Sequence, residues 1–175
     1  MKYFFILITS TLWLFGSNFT LQSESLKGQI TKIQEFNGFG CSGANISPEL
    51  HWNKPPKRTK SFAVTMYDPD APTGSGWWHW IIVNIPANSR QLAQGVSDSQ
   101  TLPKGIVEVI NDFGTVGYGG ACPPSRDDAH MYVITIYALD IAKLDITKTT
   151  NRAIAGYMIN HHTLAKSTII SYYKR

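Results

Sequence analysis

Three stretches of the chain, residues 61–68, 78–85 and 131–139, run apolar over strand length and are built largely from β-branched and aromatic side chains. In the first, Phe62, Val64 and Met66 share one face. The second is a Trp/Ile/Val run that ends at Pro86, and the third reads Met-Tyr-Val-Ile-Thr-Ile-Tyr-Ala-Leu. Runs apolar on both faces belong to central strands covered on two sides. Turn-forming stretches at 53–56, 69–76, 86–89 and 114–124 separate them. So many turns between short strands predict a mainly β chain folded as a sandwich of two sheets rather than a doubly wound α/β domain. One helix is predicted, over 150–160, behind a Thr/Asn cap, with Ile154, Tyr157, Met158 and His161 at helical spacing. Residues 168–173 return to strand composition. Residues 91–104 and 145–149 read as surface connections, the former with a short helical turn.

A length of 175 residues suits one domain that buries its own core, and no repeat or composition shift divides it. With 43% hydrophobic and 16% charged residues the chain is globular rather than disordered. The net charge of +4 is spread over single Lys and Arg residues, so no basic stripe for nucleic acid exists. The start of the chain differs from the rest. Lys2 is followed by an almost wholly apolar run over 3–16, and polarity returns from Ser17 onward. That is the layout of a secretory signal peptide, too short for a comfortable membrane span. Small residues at Ser23 and Ser25 suit cleavage nearby, so residues 1–25 are assigned to the signal peptide and 26–175 to the domain. The expected location is the periplasm or the medium. Membrane contact is confined to an uncleaved signal anchor or to lipid headgroups. Two cysteines, Cys41 and Cys122, lie in the exported part, where an oxidising compartment favours a disulfide over two buried thiols. Their spacing suits neither zinc nor a redox CxxC pair.

Gly38-Phe39-Gly40-Cys41-Ser42-Gly43 has the spacing of a dinucleotide fingerprint, but Asn45-Ile46-Ser47-Pro48 follows and forbids the helix such a site needs. In Asp68-Pro69-Asp70-Ala71-Pro72 two carboxylates bracket a rigid proline at a strand end, which serves either a cleft or a capped turn. His79 opens the second strand, in phase with Ile81 and Val83, and His130 opens the third, in phase with Tyr132 and Ile134. Each alone reads as a satisfied core histidine. Were the strands neighbours, both imidazoles and Asp68 would converge at one sheet end, where ring N–H groups can bind an anion. There the carboxylate would orient an imidazole or receive a ligand ammonium. Tyr118 to Pro124, with Gly119, Gly120 and the Pro123-Pro124 pair, offers close backbone approach and a stiff apolar wall.

Together these segments, with Trp77-Trp78-His79-Trp80, Asn111-Asp112-Phe113-Gly114, His130-Met131-Tyr132 and Tyr137-Ala138-Leu139-Asp140, resemble the phosphatidylethanolamine-binding family. Pro72 to Trp80 is especially similar to its bacterial Raf-kinase-inhibitor-like branch, and the likeness covers about 36–173. The resemblance implies a Greek-key β-sandwich with peripheral helices and one small cavity for phosphate, phosphorylethanolamine or similar anions, with no cofactor. It carries ligand-binding roles onto Asp68, Asp70, His79, Pro124, His130 and Tyr132, with Trp77, Ala71, Gly120 and Cys122 on the rim or backbone. The reading is a binding or regulatory module for a small phosphorylated or carboxylated ligand more than an enzyme. The rival readings are a metal-dependent or hydrolytic site made of His79, His130 and Asp68, and a protease or kinase inhibitor acting through the loops. Met131 stands where the family usually has Arg, which removes a rim charge. The short segment before Phe36 argues against an edge strand there.

Overall fold

The computed structural model describes residues 19–98 and 102–175. Its strands are β1 (Thr20–Gln22), β2 (Asn37–Gly38), β3 (Cys41–Ser42), β4 (Leu50–Asn53), β5 (Ser61–Asp68), β6 (Trp77–Pro86), β7 (Gln91–Leu92), β8 (Val107–Glu108), β9 (His130–Leu139) and β10 (Thr163–Tyr173), with one α-helix, α1 (Arg152–His161). Five strands form the main sheet in the order β10-β9-β5-β6-β8, and β1-β4-β7 form a smaller one. All ladders between named strands are antiparallel. β9 returns from a long connection to lie beside β5, the Greek-key step.

Alternation along β5 and β9 sorts their side chains onto two cores. Phe62, Val64 and Met66 of β5 join Tyr132, Ile134 and Ile136 of β9 against Leu21, Leu50, Trp52 and Leu92 of the smaller sheet. On the opposite face Ala63, Ile81, Val83 and Leu139 pack with Leu144, Ile146 and the helix residues Ala155 and Ile159. The architecture is therefore a two-sheet sandwich with a helix on its outer face. Among the described residues no helix is long and apolar enough to cross a membrane.

Local expectations change in several places. The segment before Phe36 does form an edge strand, because β1 pairs with β4 through Leu21 and Trp52. Phe19 and Leu21, counted above in the leading segment, lie in the core, and Glu49 accepts the backbone N–H groups of Glu24 and Ser25 (3.1 Å for Ser25). Residues 1–18 of the predicted signal peptide lie outside the described residues. The helix begins behind Asn151, whose side chain accepts from Ala153 N–H, but its inward stripe is Ala155 and Ile159 with Met158. Ile154 and Tyr157 face solvent, 55% and 69% exposed, because a small Ala lies toward the sheet where the larger residues were expected.

The last of these changes governs the site. Met66 pairs with Trp80 and Tyr67 with Trp78, so His79 is the extra residue of a β-bulge. The bulge breaks the alternation. Ile81 and Val83 belong to the helix-side core, whereas His79 turns the other way, its ring 5.1 Å from that of Tyr132.

Candidate functional site

Asp68 ends β5, His79 lies near the start of β6 and His130 opens β9. β5 separates the two histidine strands, so the imidazoles are not on neighbouring strands, and Asp68 stands between them. All three are buried: 2% exposed for Asp68, 2% for His79 and 4% for His130. They line a cavity of about 140 Å³ together with Ala71, Trp77, Cys122 and Pro124 of the expected set. This volume suits a phosphate-sized group and is below the roughly 300–1,000 Å³ of drug-sized ligand sites.

Asp68 is fully engaged. One carboxylate oxygen accepts the backbone N–H groups of Asp70 (2.8 Å) and Ala71 (3.1 Å), and the other accepts from His130 Nδ1 (2.8 Å). It thus both caps the turn after β5 and orients an imidazole, and three donors leave it little capacity for a ligand ammonium. The second ring nitrogen of His130 meets Asp127 at 3.2 Å. Burial pushes the His130 pKa down, but hydrogen bonds and charge from Asp68 and then Asp127 outweigh it, and the net shift is upward. The upward shift favours the charged imidazolium, and both ring nitrogens already face carboxylates.

His79 differs in every respect. Its Nδ1 lies 2.8 Å from the Gly119 carbonyl and 3.1 Å from the Gly120 carbonyl. Carbonyl oxygens only accept, so Nδ1 carries the proton. Burial lowers the pKa of His79 against the opposing pull of those carbonyls and of Asp68. The neutral ring therefore has a lone pair on Nε2, which has no partner among the described residues. Trp77 also lines the cavity, and its indole N–H is buried without a hydrogen-bond partner among the described residues.

Apart from Thr73, the remaining wall is aromatic and apolar. Phe113 is its hub, stacked on Phe36 at 3.9 Å and edge-on to Phe39, Trp77 and His79 at 5.5, 5.1 and 5.5 Å. Asp112 holds this loop by accepting Trp78 N–H (2.6 Å) and pairing with Arg152 of α1. The Cys41–Cys122 disulfide joins the β2–β3 hairpin, which carries Phe39, to the Gly/Pro loop. Arg175 reinforces that join by donating to the carbonyls of Gly40 and Pro123. Gly120 belongs to this loop for a steric reason, since a Cβ there would sit 2.1 Å from the Gln34 carbonyl.

Three expected site residues are not on the cavity wall. Asp70 accepts Met131 N–H at 2.8 Å and ties the turn to β9. Gly120 acts through its carbonyl on His79. Tyr132 backs the His79 ring, and burial with the nearby Asp68 charge keeps its phenol protonated far above the usual range. The sequence reading missed Phe39, Phe113 and Asp127. The first two sat in quoted motifs without a role, and Asp127 lies in Arg126-Asp127-Asp128, which reads as a solvated turn.

The family model described as phosphatidylethanolamine-binding protein matches residues 23–174. Escherichia coli YbcL is 45% identical over 96% of this chain and 97% of its own length, and Escherichia coli YbhB is 49% identical over 77% of this chain and 85% of its own. The crystal structure of Escherichia coli YbcL superimposes with a TM-score of 0.87, covering 90% of this chain and 98% of that one. A phosphatidylethanolamine-binding protein homologue from Chlamydia trachomatis, 27% identical, gives 0.76 over 91% of this chain and 99% of that one.

Proposed function

Because this chain belongs to the phosphatidylethanolamine-binding protein family, we propose that its cavity takes a small oxyanion of the phosphate or phosphate-ester kind in its singly protonated form, and that the protein works as an exported binding or regulatory module. His79 carries this reading. With Nδ1–H spent on two carbonyls and the ring neutral, Nε2 offers the cavity an acceptor. A fully ionised phosphate finds only repulsion at such an atom, whereas a P–OH donates to it. The buried, unpartnered Trp77 indole N–H would serve one of the remaining charged oxygens once the ring turned it toward the cavity. His130 offsets part of the negative charge of Asp68 and Asp127 beside the cavity without giving up an N–H, and the apolar wall strengthens these electrostatic effects by excluding water.

Phosphate monoesters lose their second proton near pH 6. The competent form therefore falls about 25-fold between pH 5.5 and 7.5, and affinity falls with it. Calorimetric titration with phosphorylethanolamine at the two pH values tests this. Saturable heat at both, tighter at pH 5.5, supports the proposal, and silence at both refutes it.

A further inference from the structure

Asn45 lies outside the cavity and has no part in the site as described so far. It has a left-handed backbone, φ 54°, a conformation that Asn adopts more readily than most side chains. Its side-chain oxygen accepts Gly120 N–H at 2.8 Å, and its amide nitrogen donates to the Tyr118 carbonyl at 3.4 Å. The Gly120 N–H and the Gly119 C=O belong to one peptide plane. The same plane is thus gripped from both ends, by Asn45 on its N–H and by His79 Nδ1–H on its C=O at 2.8 Å. A hydrogen bond accepted from one end of a peptide group polarises the other, so the Gly119 oxygen becomes a better acceptor for the ring. Gly119 N–H also donates to the His79 backbone carbonyl at 2.8 Å, which fixes the distance between loop and strand.

We infer that Asn45 is a positioning residue that acts through the Gly119–Gly120 peptide to hold the His79 proton on Nδ1, so that the cavity is given an acceptor rather than a donor. This deepens the reading of the cavity as a site for a protonated oxyanion and rests on it for its consequence. Without the clamp the peptide can tilt, the ring can carry its proton on Nε2, and a donor then faces the cavity. The selectivity would pass from protonated to fully ionised ligands.

Nitrogen-15 NMR of the imidazole reads the tautomer independently of any ligand. In the unaltered protein at pH 7.5 His79 should be protonated on Nδ1, with the Gly120 amide protected from exchange. Asn45→Gly keeps the left-handed backbone but removes both side-chain bonds. It should shift a measurable share of His79 to the Nε2–H form, unprotect Gly120 and weaken phosphorylethanolamine binding about fivefold, the scale of one net hydrogen bond. Asn45→Asp keeps the acceptor for Gly120 and should retain the Nδ1–H form. If Asn45→Gly does not fold, the aspartate variant decides by the same signature, and loss of the Nδ1–H form in it overturns the inference. So does an Nε2–H ring in the unaltered protein, or an Asn45→Gly protein with unchanged tautomer and exchange. The expected tautomer shift in a protein that gives no heat with phosphorylethanolamine would support the positioning role and retire the binding proposal alone.

Discussion

Replacing Cys41 by Ala and Cys122 by Ser together removes a cross-link between residues 81 apart in sequence. In the chain-entropy model a closed loop of about 82 residues restricts the unfolded chain by about 15 cal/mol/K, or about 4.5 kcal/mol at 25 °C. For a domain of this size each kcal/mol moves the melting temperature by about 2–4 °C, so the double variant should melt roughly 9–18 °C lower. Because the effect acts through the unfolded state, the urea m-value should rise as that state expands. Both quantities come from paired thermal and urea unfolding of oxidised wild type and variant. Arg175 holds the same hairpin through the Gly40 carbonyl, so the native fold should survive the double substitution. A loss under about 1 kcal/mol with an unchanged m-value would refute the reasoning, as would quantitative thiol labelling of both cysteines in exported, unreduced protein.

Three further outcomes are expected. His130 has a raised pKa, so its charged pairing contributes fully below its ordinary pKa near 6.5 and is lost as pH rises through the folded value; Asp127→Asn should therefore lower the His130 NMR midpoint and show a stability deficit that is largest in acid and closes in alkali, and a deficit that grows with pH would contradict this. His130→Ala leaves the Asp68 carboxylate buried with its backbone donors alone and should cost about 3 kcal/mol or more in urea unfolding, whereas His79→Ala should chiefly weaken phosphorylethanolamine binding by about 10- to 100-fold; the reverse pattern would overturn the division of roles. The native N-terminus should fall between residues 17 and 19 by mass spectrometry, since processing at residue 24 or beyond would remove Phe19 and β1 from the core.

The long strands were legible because burial on both faces leaves continuous apolar runs. Residues 61–68 coincide with β5, while 78–85 and 131–139 lie inside β6 and β9. Only the second half of β10 was read, since Thr163 to Ser167 includes Leu, Ala, Lys and Ser, which mark no strand by type. The smaller sheet escaped because strands of two to four residues carry no period to detect. At the site, Asp68 and His130 could be joined from their places at strand ends. The true facing of His79 could not, because a bulge changes alternation without altering composition. Asn45 and Asp127 were silent for different reasons: Asn45 acts through hydrogen bonds to a loop 75 residues away, and Asp127 reaches the His130 ring from three residues back, across a turn whose composition marks no role.

The central claim is that the cavity presents an acceptor and holds its ligand with a proton on it. The direct measurement is the number of protons taken up when phosphorylethanolamine binds at pH 7.5, obtained by calorimetry in buffers of different ionisation enthalpy. A ligand that is mostly dianionic in solution and bound as the monoanion must gain close to one proton per site. Uptake near one is the predicted result, and no uptake, or net release, would contradict the account.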